Sequence, residues 1–93
     1  MALVFEWDSR KDRANRKKHG VSFSEAMTIF GDRTELMIAD PEHSDDEERL
    51  ISIGLSHKNR LLIVVYTEQG DRIRLISARR VTRREKTQYE KDF

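Results

Sequence analysis

The sequence has no cysteine, one proline and four glycines among its 93 residues. Without cysteine there can be no disulfide bonds and no thiolate metal ligands, so we expect a protein that needs no oxidising compartment, with the cytoplasm as its default location. No apolar run reaches membrane length, and the N-terminus has no signal-peptide features, so we expect neither export nor membrane insertion. No repeat or Pro/Gly-rich linker divides the chain. We therefore expect residues 1–93 to form one domain with one core and one site.

Charge is nearly balanced over the whole chain but unevenly placed along it. The net charge is +1, made up of +3 for residues 1–20, −7 for residues 21–50 and +5 for residues 51–93. Such an uneven distribution of charge suits a protein that contacts a polyanion with one surface, although charged surfaces are also common in general.

Three helices are predicted from their capping signals. Ser9 and Asp12 have the spacing of a capping box and Gly20 suits a helix end, which predicts a first helix at about 9–19 with a solvated basic surface. Ser22 and Glu25 begin a second helix, which ends at Gly31. Its predicted core stripe is Phe23, Ala26, Met27 and Phe30.

A third capping box, Thr82 with Glu85, predicts a last helix from Thr82 to about Asp92. Between the second and third helices the hydrophobic period becomes that of strands. The predicted strands are Leu36–Ala39, Arg49–Leu55, Leu61–Thr67 and Arg72–Arg79, after a short extended segment at 3–7. We predict an α+β fold in which a four- to five-stranded antiparallel sheet packs with two N-terminal helices and one C-terminal helix.

The last predicted strand is rich in arginine. Alternation along a strand places Arg72 and Arg74 on one face with Ile76 and Ala78, and Ile73, Leu75 and Ser77 on the other. Two neighbouring guanidinium groups suit successive phosphodiester oxygens. Further cations that we expect to contact an anion are Arg79, Arg80, Arg60 and Lys58. The alternative is a solvated strand face that pairs with the acidic middle of the chain.

An acidic cluster between residues 40 and 48 raises the question of a metal site. Its spacing fits no known metal-binding loop, so a solvated acidic loop is the better interpretation. His19, His43 and His57 lack the paired spacing of a helical zinc site. We expect no metal and no other cofactor.

RNA can be cut without a metal when the 2′-OH attacks the neighbouring phosphate, which requires a base, an acid and cations. Arginines supply the cations, and the proton-transfer candidates are Glu68 and Tyr89, followed by His57 or Lys58. Each has a structural alternative: Glu68 as a salt-bridge partner of Arg72, Tyr89 as an aromatic at the core edge, and His57 as a loop residue.

The sequence resembles the BrnT toxins over nearly its full length. The matching residues are Phe5–Asp8, Asn15, Lys18–Val21, Phe23, Phe30–Asp32, Arg49, Ile53–Gly54, Val65–Glu68, Arg72–Arg79, Glu85 and Tyr89. The resemblance implies a RelE-like fold and a cytoplasmic ribonuclease toxin of a type II toxin–antitoxin system. It also implies a small antitoxin whose ribbon-helix-helix part binds operator DNA.

On these grounds we assign two sets of site residues as hypotheses. The catalytic candidates are Arg74, Arg72, Glu68, Arg79 and Tyr89, and the RNA-binding candidates are Lys58, Arg60, Arg80 and His57. Two other functions fit the same arginines: a catalytically silent RNA-binding module, and a docking partner of a DNA-binding protein.

Overall fold

The computed structural model describes residues 3–32, 36–39 and 49–91. The helices are α1 (Ser9–His19), α2 (Phe23–Ala26) and α3 (Arg83–Lys91), and a 3₁₀ helix (Met27–Gly31) continues α2. The strands are β1 (Val4–Glu6), β2 (Leu36–Ala39), β3 (Arg49–Leu55), β4 (Leu61–Gln69) and β5 (Arg72–Arg80). They form a five-stranded sheet in the order β1-β5-β4-β3-β2. The predicted α+β architecture is confirmed.

The sheet is antiparallel except at one edge. The pairs β2–β3, β3–β4 and β4–β5 are antiparallel, and the last two are joined by the hairpin-length connections that predicted this arrangement. The short β1 runs parallel to β5, with Val4 opposite Arg72. No tight turn joins these two strands, so the direction of β1 is set by its path into α1 and was not predicted from the sequence.

The helix caps follow the predicted signals with one difference. Asp8, not Ser9, caps α1, because its side chain accepts a hydrogen bond of 2.7 Å from the amide of Arg10. Gly20 ends α1 in the left-handed conformation, at φ 70°. The Oγ of Ser22 caps α2 by accepting from the amide of Glu25 at 3.0 Å. The second predicted helix is thus confirmed at its start.

Beyond Ala26 the predicted α-helix tightens into the 3₁₀ helix. Three residues per turn bring Ile29 beneath Ala26, and both are fully buried. Phe30, predicted to lie in the core stripe, is half-buried at its edge and packs edge-on against Tyr66 with ring centroids 4.9 Å apart. The 3₁₀ helix has fewer residues per turn than the predicted α-helix, so Ile29 takes the buried position that was predicted for Phe30.

The core lies between one face of the sheet and the helices α1, α2 and 3₁₀. Its buried side chains from the helical region are Val21, Phe23, Ala26 and Ile29, and those from β4 and β5 are Leu62, Val64, Tyr66, Ile73, Leu75 and Ala78.

The buried Asn15 ties α1 to β5. Its amide group donates to the carbonyls of Val21 and Ala78, each at 2.8 Å, and its carbonyl accepts from the amide of Ala78 at 3.2 Å. Asn15 therefore holds α1 both to β5 and to the segment that leads into α2.

A β-bulge at Ile76 changes which β5 side chains share a face. Val65 pairs with Ser77 and Tyr66 pairs with Leu75, so Ile76 has no partner on β4. Past the bulge, Ala78 is buried in the core with Leu75. The predicted alternation is therefore wrong beyond Leu75, because one unpaired residue inverts the facing of those that follow.

The other face of the sheet, opposite the core, is called the outer face below. Residues directly opposite on antiparallel strands project from the same face. The register places these outer-face residues together: Ile51 and Ile53 of β3, Ile63, Val65 and Thr67 of β4, and Arg74, Ser77 and Arg79 of β5.

Candidate active site

A cleft of about 350 Å³ opens between the β3–β4 turn and α3. We call it the basic cleft, because the described residues that line it include four cations and a single carboxylate, from three parts of the chain. Its lining residues are Leu55, Asn59, Arg60, Leu61, Arg80, Val81, Thr82, Arg83, Lys86, Tyr89 and Glu90.

The β3–β4 turn forms one wall of the basic cleft and is held by its own backbone. The amide of Ser56 donates to the carbonyl of Arg60 at 2.8 Å, and the amide of Asn59 donates to the carbonyl of Ser56 at 2.9 Å. Asn59 has φ 60°, which asparagine tolerates better than most residues. The turn therefore presents Asn59 to the cleft in a fixed backbone conformation.

Arg60 belongs to a buried ion pair with Glu25 of α2. The Nε of Arg60 donates to Oε2 of Glu25 at 2.9 Å, its Nη2 donates to Oε1 of the same carboxylate, and Nη2 also donates to the carbonyl of Gly20 at 3.1 Å. Glu25 is only 1% exposed and also accepts from Ser56 Oγ at 2.7 Å. The guanidinium of Arg60 thus makes three hydrogen bonds within the protein, while Arg60 also lines the cleft and stays a predicted RNA contact.

The same contacts set the charge state of Glu25. The hydrogen bond from Arg60 lowers the pKa of Glu25 below its ordinary value, and this outweighs burial, which acts in the opposite direction. The pKa of Arg60 is raised by the same hydrogen bond. Both groups are therefore charged at neutral pH, and they link the end of α1, α2 and the β3–β4 turn.

The second wall of the basic cleft, α3, is fixed to β5 by Glu85. The carboxylate accepts from Nη1 and Nη2 of Arg79 at 2.9 and 2.8 Å. It also accepts from the amide of Thr82 at 2.8 Å, while Thr82 Oγ1 accepts from the amide of Glu85 at 3.2 Å. The predicted capping box is confirmed. The hydrogen bonds from Arg79 are the main reason that the pKa of Glu85 falls to about 2.

Arg79, a predicted catalytic residue, is thus occupied in positioning α3. Its guanidinium is matched by both oxygens of Glu85, in the bidentate geometry that arginine and carboxylate favour.

Three cations of the basic cleft remain available for a ligand. Within the part of the chain that the structure describes, Arg80, Arg83 and Lys86 form no ion pair. Tyr89 and Glu90 line the same cleft. Such a set can bind a phosphodiester through its cations and can exchange protons through its hydroxyl and carboxylate groups.

Arg72 and Arg74 lie at the other end of β5. Arg80 lies six positions after Arg74, which places the two Cα atoms more than about 15 Å apart at roughly 3.3 Å per residue. Arg72 is exposed, with its Nη1 3.9 Å from Glu6 Oε2. Arg74 is exposed and forms no ion pair among the described residues. The one predicted site is therefore divided into two groups of residues.

Glu68 is separated from both groups. It pairs with Ile73, a core residue, so its side chain projects from the face opposite to Arg72 and Arg74. The alternative of a Glu68–Arg72 salt bridge is also not formed, since Arg72 pairs with Glu6 instead.

His57 and Lys58 lie in the β3–β4 turn and are exposed. The amide of His57 donates to Oγ1 of Thr28 at 3.0 Å, and its Nδ1 lies 3.3 Å from the same oxygen. The amide of Lys58 donates to Ser56 Oγ at 3.2 Å. Both residues flank the cleft without lining it, and they stay predicted RNA contacts.

Sequence reasoning missed Asn59, Arg83, Lys86 and Glu90 as cleft residues. The spacing Arg83, Lys86 and Glu90 follows the i, i+3, i+7 pattern of one helix face, and the predicted start at Thr82 would have placed these residues together. What the sequence could not show is that this face meets the β3–β4 turn.

No group of three or more metal-ligating side chains comes together within residues 3–32, 36–39 and 49–91. The acidic cluster between residues 40 and 48 lies outside the described residues. No helix in the described part of the chain is both long and apolar enough to cross a membrane.

The fold and the basic cleft define a class: a small α+β protein with concentrated positive charge in a site suited to phosphodiesters. The family described as the ribonuclease toxin BrnT of type II toxin–antitoxin systems matches residues 7–85. The chain belongs to this family, whose description implies an RNA substrate and an antitoxin partner.

A solved structure supports the fold independently. The crystal structure of the Brucella abortus ribonuclease toxin BrnT is similar, with a TM-score of 0.61 and 23% sequence identity over 89% of this chain and 99% of that chain. The search of curated proteins finds no match.

Proposed function

We propose that this chain cleaves RNA in the basic cleft without a metal ion, as the toxin of a type II toxin–antitoxin pair. The observation that carries the proposal is the convergence of Arg80, Arg83 and Lys86, none of them ion-paired among the described residues, on a cleft that also holds Tyr89 and Glu90. Cations beside proton-transferring groups are what attack by a 2′-OH requires.

The chemistry assigns roles to four of these groups. Glu90 accepts the proton of the 2′-OH, whose oxygen attacks the adjacent phosphorus. Arg80 and Lys86 stabilise the charge that develops on the non-bridging oxygens. The bond from phosphorus to the 5′ oxygen breaks, and Tyr89 donates its hydroxyl proton to that leaving oxygen. The products are a 2′,3′-cyclic phosphate and a free 5′-hydroxyl, and no metal ion takes part.

The positions of Arg79 and Glu85 explain how the cleft keeps its shape. Their bidentate contact, together with the capping box at Thr82, fixes the start of α3 relative to β5. Arg80 follows Arg79 directly and Lys86 follows Glu85 directly, so this contact also sets the distance between the two catalytic cations.

The rest of the proposal extends the family description, which names a type II toxin–antitoxin system. The partner is a ribbon-helix-helix antitoxin that neutralises the chain and binds operator DNA, and the pair acts in the cytoplasm. Cleavage of RNA inhibits translation and growth until the antitoxin binds.

The test is cleavage of a labelled RNA oligonucleotide by the purified chain in EDTA. We expect cleavage to persist in EDTA and to vanish when every 2′-OH is replaced by hydrogen. Arg80→Ala should lower the rate about 10²- to 10³-fold, the effect of removing one preorganised donor. Tyr89→Phe should lower it as well, since it deletes only the hydroxyl.

Arg74→Ala is the matched control, because it removes a guanidinium from the same strand outside the cleft. We expect it to retain wild-type cleavage. A large loss in Arg74→Ala with normal cleavage in Arg80→Ala would instead place the chemistry at the Arg72/Arg74 end. RNA binding without cleavage by the wild-type chain would favour the silent binding module, and loss of cleavage in EDTA with recovery in Mg²⁺ would refute the metal-free route.

A further inference from the structure

The outer face carries an apolar strip that the described helices leave open. Ile51, Ile53 and Val65 project from it and are only half-buried. The helices α1, α2 and 3₁₀ pack on the opposite face. Of the described helices only α3 approaches the outer face, and it does so at the end of β5 where Glu85 meets Arg79.

The dimensions of this strip suit one segment of secondary structure. From β3 to β5 the sheet is two strand spacings wide, about 10 Å, and seven residues of β3 extend it for roughly 20 Å. An α-helix with its side chains is about 10 Å across. A single helix can therefore cover the strip, whereas a globular partner would need a larger interface.

Cations border the strip at the end away from the basic cleft. Arg49, Thr67 and Arg74 form one row across β3, β4 and β5. Arg74 is exposed and has no ion pair within the described residues. A partner that places apolar side chains on the isoleucines and carboxylates on the arginines would therefore complement the face in both shape and charge.

RNA fits this surface less well than protein does. Isoleucine and valine offer neither an aromatic platform for a base nor a donor for a phosphate, and burying them requires an apolar counterpart.

We propose that the outer face between β3 and β5 binds an amphipathic, acidic segment of the antitoxin. This inference rests on the proposed function for the existence of that partner. Because the strip runs from the Arg49–Arg74 row toward α3, a segment bound along it reaches the basic cleft and blocks RNA from entering.

The experiment measures complex formation with the co-expressed product of the reading frame adjacent to the gene. Arg74→Glu should weaken the complex at least about tenfold, since it puts a like charge opposite the partner's carboxylates. Ile53→Glu should weaken it through the apolar contact. Lys11→Glu is the matched control, an exposed charge reversal on α1, and should leave the affinity unchanged. Thermal melting must show that each variant is folded.

In the cleavage assay, Arg74→Glu should resist neutralisation: relative to its own rate without antitoxin, it should need more antitoxin than the wild-type chain does to stop cleaving RNA. Wild-type affinity in both Arg74→Glu and Ile53→Glu would overturn the proposal, as would the absence of any complex with the wild-type chain. Loss of RNA binding in Arg74→Glu with an unchanged antitoxin complex would assign the face to RNA and overturn it too. Complex formation is measured independently of RNA cleavage, so the two proposals can fail separately. A chain that does not cleave RNA but forms an Arg74-dependent complex would refute the proposed chemistry and support the docking surface.

Discussion

Replacing Arg60 with alanine should destabilise the fold far more than a typical surface substitution. The change removes both hydrogen bonds that Arg60 donates to Glu25 and leaves a carboxylate that is 1% exposed with Ser56 as its remaining partner. Removing one member of a buried ion pair costs about 3–5 kcal/mol. The side chain of Arg60 is itself 26% exposed, so water can enter the vacated space, and we expect a value near the lower limit, about 3 kcal/mol.

For a protein of this size, about 3 kcal/mol corresponds to a fall in Tm of roughly 12 °C or more. Arg72→Ala is the matched control, because it also breaks an arginine–glutamate pair. That pair has a separation of 3.9 Å and side chains that are 62% and 40% exposed, so its loss should change the free energy of unfolding by less than about 1 kcal/mol. Urea or thermal unfolding followed by circular dichroism measures both variants.

The difference in stability between Arg60→Ala and the wild type should also depend on pH. In the wild type the pKa of Glu25 is lowered from 4.5. The contribution of Glu25 to the free energy of unfolding is therefore complete above that value and is lost as the pH falls through the folded-state pKa. Arg60→Ala removes the largest cause of this lowering, so the pKa of Glu25 rises relative to the wild type and the variant loses less stability in acid than the wild type does. The Tm difference should shrink from pH 7 toward pH 4. A difference that is independent of pH, or no larger than that of Arg72→Ala, would refute this account of the Glu25–Arg60 pair.

Three further predictions concern other contacts of the fold. Asn15→Leu should lower the free energy of unfolding by more than about 2 kcal/mol in urea, because it leaves buried backbone groups of Ala78 without a partner. Gly54→Ala should cost about 1–3 kcal/mol in the same assay, since a Cβ there would lie 3.1 Å from Cβ of Ile29; an unchanged midpoint would show that the neighbours move freely. The pKa of Glu85 is lowered from 4.5 to about 2. The contribution of Glu85 to the free energy of unfolding is therefore fully present above pH 4.5 and is lost as the pH falls from there toward 2. Helical circular dichroism should therefore decrease over that range in the wild type, whereas Glu85→Gln should lack this transition.

Local signals were sufficient for much of the architecture. Ser22 and Thr82 mark real helix starts because each hydroxyl satisfies an amide that the helix itself leaves unpaired. The three strands from Arg49 to Arg80 were predicted to within about two residues, since hydrophobic period and turn residues both act over a few neighbouring positions. The family resemblance was also present in the sequence and is confirmed.

The assembly of the site depended on contacts between distant parts of the chain. The spacing of Ser22 and Glu25 predicted a reciprocal capping box. The Glu25 carboxylate instead accepts hydrogen bonds from Arg60, which is 35 residues away in the sequence. A charged guanidinium donates a stronger hydrogen bond to a carboxylate than a backbone amide does. Likewise, the bulge at Ile76 moved Arg79 to the face of Arg74, and only the pairing of β5 with β4 reveals it.

The sequence by itself determined the residues from which a cationic site could be built, the secondary structure that carries them and the family of the chain. Tertiary structure decided which cations remain available: Arg60 and Arg79 are matched by carboxylates, Arg80 opens into a cleft, and Arg74 lies at the far end of its strand. The physical reason is that alternation and capping are properties of neighbouring residues, whereas the availability of a charge depends on which opposite charge the fold brings beside it.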